Sequence, residues 1–152
     1  MTTAADISDA LADALGGVQR LIRRRLRRDT PVPRLRGAQI ELMRLVAANP
    51  GLRVSAAAKE LYLAGNSVST LVNQLTAAGL LRRETDPGDR RSALLLPTPE
   101  AEARLRDWQE RRSALVHRHV DALSTDDQAA LAAALPALRR LAESLREEVE
   151  EQ

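Results

Sequence analysis

Apolar residues near the start of the chain recur at steps of three and four, as on one face of a helix. They are Ile7, Leu11, Leu15, Val18, Ile22 and Leu26. The pattern predicts a helix from Asp6 to about Arg28, which the prolines at positions 31 and 33 prevent from continuing. A second helix is predicted from Gln39 to Ala48, where Asn49-Pro50-Gly51 ends it.

The segment from residue 53 to residue 98 predicts a helix–turn–helix followed by a β-hairpin. Gly79 is suited to end the second helix of the pair, and Asp86-Pro87-Gly88-Asp89 is typical of a turn between strands. The predicted elements are an extended piece at Arg53-Val54, a helix from Ala56 to Leu63 capped by Ser55, a turn at Ala64-Gly65-Asn66, a helix from Ser67 to Ala78, and strands at Leu80–Thr85 and Ser92–Leu96.

Two long helices are predicted after this segment. Thr98 is placed to cap the first, with Pro99 at its first helical position and an apolar stripe that reaches Leu123. Ser124 and Asp127 resemble a capping box that begins the second, in which Pro136 is expected to produce a kink. The fold class is therefore mainly α with one small β-hairpin.

Composition excludes several classes of protein. The chain has 44% hydrophobic residues and no cysteine, which excludes disulfide frameworks, cysteine zinc sites and thiol catalysis. The chain has no run of 18 apolar residues, which a membrane-spanning helix would need. Residues 1–15 also lack the basic start of a secretion signal, so we expect a cytoplasmic protein. Arginine outnumbers lysine by 22 to one, which indicates a GC-rich bacterial genome.

The net charge of +2 is unevenly distributed. The chain holds 15 basic and 9 acidic residues up to Pro99, and 8 basic and 12 acidic residues after it. A basic front half favours contact with a polyanion. The run of arginines at positions 23–28 could approach a DNA backbone or be merely solvated.

The helix predicted from Ser67 to Ala78 has an outer face without charge. Opposite its apolar stripe lie Asn66, Thr70, Asn73 and Ala77, flanked by Ser67, Ser69 and Gln74. Short hydrogen-bonding side chains of this kind can reach base edges, whereas an ordinary solvated helix face usually carries Lys, Glu or Arg. A merely polar surface helix is the alternative.

The hairpin that follows is basic at its tip, where Arg90 and Arg91 stand beyond the turn. Arginines in such a place can contact phosphates or enter the minor groove. Asp89 is predicted to hold the guanidinium of Arg91 in a fixed direction. The alternative is a solvated turn with an incidental ion pair.

Together these segments resemble the MarR family of winged-helix transcription regulators. The resemblance is carried by Val-Ser-Ala-Ala-Ala-Lys-Glu-Leu, by the helix that begins at Ser67, by the junction from Gly79 to Arg83, and by the Asp-x-Arg motif at Asp89 to Arg91. It covers nearly the whole chain. One departure is Pro97-Thr98-Pro99 after the hairpin, from which we expect the second strand to end one residue early.

The resemblance implies a winged helix–turn–helix with long N- and C-terminal dimerisation helices. The expected parts are a dimerisation helix at residues 1–35, a DNA-binding lobe at 36–98 and dimerisation helices at 99–152. A homodimer that binds a pseudo-palindromic operator in double-stranded DNA is implied, and apolar stripes too long for one small lobe to cover agree with it. The expected DNA-binding residues are Asn66, Ser67, Ser69, Thr70, Asn73, Gln74, Arg83, Asp89, Arg90 and Arg91.

Members of this family often respond to small ligands, for which Trp108, Arg112 and His119 are the candidates; a paired arginine and a surface histidine are the alternative.

No cofactor is expected. His117 and His119 point to different sides of one helix, so no metal site is expected either. The sequence shows no nucleophile–base pair, so we do not expect an enzyme. A helical dimeric adaptor, or a membrane-surface protein that uses its arginine-rich face, is the alternative function.

Overall fold

The computed structural model describes residues 3–28 and 34–150, which form six helices and three strands. The chain divides into two compact units, one up to Arg111 and the other from Arg112 onward. The predicted class, mainly α with a small β-hairpin, is confirmed. The elements are α1 (Ala4–Arg28), α2 (Gly37–Ala48), β1 (Leu52–Arg53), α3 (Val54–Leu61), α4 (Gly65–Ala77), β2 (Leu81–Asp86), β3 (Asp89–Pro97), α5 (Pro99–Asp121) and α6 (Thr125–Glu150). The prolines at positions 31 and 33 lie outside the described residues.

The core of the first unit joins α2, α3 and α4 to the sheet and to the start of α5. Apolar residues at helical spacing supply it, and Val68, Val72 and Leu75 bury one whole side of α4. This burial fixes which side of α4 faces outward. The buried cluster is Leu42, Met43, Val46, Ala57, Ala58, Val68, Val72, Leu75, Leu80, Leu81, Leu95 and Ala101.

Helices α3 and α4 both begin two residues earlier than predicted. Arg53, not Ser55, is the residue at the N-cap of α3, and its side chain makes no cap hydrogen bond. Pairing with Leu94 holds Arg53 in the extended strand β1, so the helix starts directly after it. The predicted turn at residues 64–66 is shorter, because α4 begins at Gly65 and takes Asn66 into its first turn.

Gly79 ends α4 as predicted. Its φ of +73° lies in the left-handed region that glycine adopts without strain. Its amide donates to the carbonyl of Thr76 at 3.0 Å, and the amide of Leu80 donates to the carbonyl of Leu75 at 2.9 Å. These two hydrogen bonds are those of a Schellman motif, with Leu75 and Leu80 packed in the core.

The three strands form an antiparallel sheet in the order β1-β3-β2. The hairpin turn is reduced to Pro87-Gly88, because Asp86 and Asp89 still pair with each other. The expectation that β3 ends before Pro97 is wrong, since Pro97 pairs with Leu81. A proline lacks the amide donor but keeps its carbonyl acceptor, which suffices at the end of a strand.

The caps predicted for the last two helices are confirmed. The hydroxyl of Thr98 accepts from the amide of Ala101 at 3.2 Å, and that of Ser124 accepts from the amide of Asp127 at 3.1 Å. Pro136 lies inside α6, which continues on both sides of it, so the kink stays a prediction.

Candidate nucleic-acid interface

The outward side of α4 carries uncharged hydrogen-bonding groups, as the sequence predicted. Six predicted positions lie on it; all are exposed except Ser69, which is half-buried. Since Val68, Val72 and Leu75 fill the core, the helix cannot rotate to hide these groups. The six are Asn66, Ser67, Ser69, Thr70, Asn73 and Gln74.

Two of these side chains are held by residues far away in the sequence. The side-chain oxygen of Asn73 accepts a hydrogen bond from Nη2 of Arg83 in β2. That of Gln74 accepts from Nε2 of Gln39 in α2 at 2.9 Å. In both cases the side-chain oxygen acts as an acceptor, and the NH₂ group of the exposed side chain keeps two donors for other acceptors.

The hydrogen bond to Asn73 also places Arg83 beside α4. Its guanidinium keeps further N–H donors that point away from this bond. Asn73 and Arg83 therefore form one donor-rich patch across the helix and the first hairpin strand. Such a patch matches the acceptor atoms of guanine in the major groove, or phosphate oxygens.

The hairpin is fastened next to its turn by Asp86, the one buried charged residue in the described part of the chain. Its carboxylate pairs with the guanidinium of Arg53 and accepts from the amide of Gly88 at 2.9 Å. The turn is thereby tied to β1 on the far side of the sheet. Sequence reasoning missed Arg53 and Asp86 because they are 33 positions apart.

Asp89 does not hold the guanidinium of Arg91, contrary to the prediction. Its carboxylate accepts from the hydroxyl of Ser92 at 2.7 Å and from the backbone amide of Arg91 at 3.0 Å. The Ser92 hydroxyl, then the Arg91 amide, lower the pKa of the Asp89 carboxyl below its usual value. Each carboxylate oxygen of Asp89 accepts from one of these two groups, so Asp89 shapes the start of β3.

Arg90 and Arg91 are exposed beside the turn. No carboxylate among residues 3–28 and 34–150 forms an ion pair with either guanidinium. Arg82, by contrast, pairs with Glu84. The hairpin tip therefore presents two uncompensated positive charges.

The three candidate ligand residues are spaced along α5. The ring of Trp108 is stacked under the guanidinium of Arg44, whose central carbon lies 4.4 Å from the ring centroid. Arg112 and His119 belong to the second unit, where Arg112 is half-buried and His119 is exposed. Nearby, Nε2 of His117 lies 3.2 Å from the carboxylate of Asp121, a contact the sequence analysis did not predict.

Metal sites and membrane spans are two further features to consider. Among residues 3–28 and 34–150, no group of three or more His, Cys, Asp or Glu side chains is arranged to hold a metal ion. In the same part of the chain, no helix is both long enough and apolar enough to cross a membrane.

Comparison with known proteins points to one family. Residues 35–92 match the model of the MarR family. A protein of Thauera aromatica, whose name assigns it to transcriptional regulation of the hcr operon, is 41% identical over 58 residues. That match covers 38% of this chain and about a third, 35%, of the relative.

Solved structures share the fold over nearly the whole chain. FabT of Streptococcus pneumoniae, solved in complex with DNA, has a TM-score of 0.70 at 22% identity and covers 94% of this chain and 99% of its own. PcaV of Streptomyces coelicolor, solved with its natural ligand, has a TM-score of 0.59 at 23% identity, covering 95% and 98%. Residues 35–92, which hold the helix–turn–helix and most of the hairpin, are therefore similar to the MarR family, and the solved structures show the same fold over nearly the whole chain.

Proposed function

We propose that the protein is a transcriptional regulator that binds a specific sequence in double-stranded DNA. The observation that carries the proposal is the uncharged hydrogen-bonding side of α4, with the unpaired arginines of the hairpin beside it. A helix of this kind reads base edges in the major groove, while guanidinium groups contact phosphates. FabT, which shares the fold, was solved with DNA.

The contacts divide into two roles. Asn66, Ser67, Ser69, Thr70 and Gln74 face bases, with the Asn73–Arg83 patch in the middle of the row. Arg90 and Arg91 bind the backbone, where charge raises affinity for every sequence alike. Asp89 acts indirectly, because it fixes the backbone from which both arginines extend.

The binding form in this proposal is a homodimer. Large apolar residues on α1 are exposed, among them Leu15 at 44% and Val18 at 56%. On α6, Leu135 and Leu145 are exposed at 48% and 55%. Stripes of this size on long helices favour burial against a second copy. A two-fold dimer then reads two half-sites of a pseudo-palindrome about one helical turn apart.

Control by a small ligand is the second part of the proposal. PcaV, with the same fold, was solved with a natural ligand. Trp108, Arg112 and His119 are the proposed ligand residues, and the stack of Arg44 on Trp108 links α5 to α2. A ligand that displaced Arg44 would act on the helix that holds Gln74 through Gln39. A regulator of this kind works in the cytoplasm.

Selection from random duplex DNA tests the function. The protein is incubated with a library of random 30-base-pair duplexes, and bound DNA is amplified and sequenced over several rounds. We expect one palindromic motif to be enriched, and enrichment to be lost when Asn73 and Arg83 are both replaced by alanine. A variant with Arg139→Gln on α6 serves as the control and keeps the motif. Absence of any enriched motif would favour the adaptor or membrane-surface function instead.

A further inference from the structure

The end of α1 and the residues just before α2 form a groove, and the lining residues that the structure describes are six arginines. The groove has a volume of about 460 Å³. Its lining is Arg20, Arg23, Arg24, Arg27, Arg28 and Arg34. Among the described residues, none of these guanidinium groups is paired with a carboxylate. In this part of the chain, Nη2 of Arg23 donates a hydrogen bond to the amide oxygen of Gln19.

The arginines form one continuous face of α1. At 100° per residue, the five on the helix lie opposite the apolar stripe that includes Leu15 and Val18. The helix therefore has two separate faces, one apolar and one cationic. Since Arg20 and Arg28 are eight residues apart, the cationic face is about 12 Å long.

The groove is connected to the outward side of α4. Arg34 is two residues from Arg36, so their Cα atoms are at most about 7 Å apart. The amide of Arg36 donates to the side-chain oxygen of Gln39 at 2.8 Å, and Gln39 donates to Gln74 at 2.9 Å. The hydrogen bonds of Gln39 therefore connect Gln74 on the outward side of α4 to the backbone two residues from Arg34 in the groove.

We propose that this groove binds the phosphate backbone of duplex DNA outside the half-site read by α4. The inference rests on the proposed function and extends its footprint. A stretch of 12 Å along the axis of the DNA duplex spans about three phosphates of one strand. Arginine forms bidentate pairs with phosphate oxygens, and the lining residues that the structure describes are all arginines.

A membrane surface fits the groove less well. A helix that lies on a membrane usually carries Trp or Phe on the apolar face opposite its basic residues. The apolar stripe of α1 contains neither residue type. Phosphates in a stiff, extended array, such as a DNA strand, match a face that is cationic along its whole length.

The test compares two triple variants on two duplexes. The groove variant is Arg20→Gln/Arg24→Gln/Arg27→Gln, and glutamine retains helix propensity. The control, Arg106→Gln/Arg118→Gln/Arg140→Gln, removes the same charge from exposed positions elsewhere. One duplex ends at the edges of the selected palindrome, and the other adds ten base pairs on each side. Affinities are measured by fluorescence anisotropy at several salt concentrations.

We expect the groove variant to lose about tenfold or more in affinity for the flanked duplex at 0.1 M salt. Its slope of log affinity against log salt should fall by two to three, since each phosphate contact contributes about 0.9. On the short duplex it should behave as the control does. Circular dichroism and light scattering check that both variants stay folded and dimeric.

Three results would overturn the inference. The groove variant could match the control on both duplexes, or lose equally on both, in which case no flanking contact exists. Alternatively, inorganic tripolyphosphate could raise the melting temperature of the wild type but not of the groove variant, while the groove variant binds flanked DNA as tightly as the control variant does. That result would indicate that the groove binds a soluble polyanion. Wild-type protein that binds neither duplex would contradict the proposed function itself.

Discussion

Replacing Asn73 by alanine tests the base-reading patch most sharply, because this side chain has two roles. Asn73 is exposed in the middle of α4, where its NH₂ group has two donors, and its oxygen accepts from Nη2 of Arg83. The substitution therefore removes a base contact and also releases the guanidinium of Arg83. Both groups are exposed, so we expect the free energy of unfolding to change by less than about 1 kcal/mol.

The loss in binding is expected to depend on sequence. A good side-chain contact to a base contributes about 1–3 kcal/mol of discrimination, which corresponds to about a 5- to 160-fold loss on the selected site. Affinity for a scrambled duplex should fall much less, because Arg90 and Arg91 still supply the phosphate contacts. Alanine at Arg83 should weaken both duplexes, since it also removes a charge.

A double-mutant cycle measures the coupling between the two residues. Anisotropy titrations of Asn73→Ala, Arg83→Ala and the double variant should give an interaction energy of about 0.5–3 kcal/mol on the selected duplex. Thr76→Ala is the control on the same helix, since the Thr76 hydroxyl bonds only to the carbonyl of Val72 at 2.7 Å. Additive losses, or an equal loss on selected and scrambled DNA, would refute the reasoning.

Further predictions concern the hairpin and the dimer. Arg91→Gln should weaken binding to all duplexes and lower the salt slope by about 0.9, whereas Arg139→Gln should leave the slope unchanged. In an NMR titration, Asp89 should ionise below the usual pKa of an aspartate, and Ser92→Ala should raise that pKa. Because the folded-state pKa is lowered, the stabilisation by Asp89 is present above the unfolded pKa, near 3.9, and is lost as pH falls through the folded value. Leu135→Glu should give a monomer of 16.6 kDa in light scattering; a dimer of unchanged stability would contradict the proposed interface.

Local patterns were enough to predict the elements and the outward side of α4. The spacing of Val68, Val72 and Leu75 predicts both the helix and its orientation, and Gly79 predicts its end, since each signal lies within a few residues of its effect. The start of α3 could not be predicted in this way. Ser55 is a good local cap, but pairing between Arg53 and Leu94, 41 positions later, decides where the helix begins.

The same limit applies to the candidate site. The residues that face outward follow from periodicity, whereas the contacts that orient them join distant segments. Gln39 and Gln74 are 35 positions apart, and Arg53 and Asp86 are 33 apart. Asp89 shows the converse error: its short distance in sequence to Arg91 suggested an ion pair, while the backbone amide and Ser92 were nearer partners.

Dimethyl sulfate interference on the selected duplex tests the central claim most directly. The reagent methylates guanine N7 in the major groove, where α4 is proposed to read acceptor atoms. We predict that methylation blocks binding in two patches whose centres are 10–10.5 base pairs apart, as two recognition helices of a two-fold dimer require. Interference in a single patch, or none despite tight binding, would contradict the claim that two copies of α4 read the major groove.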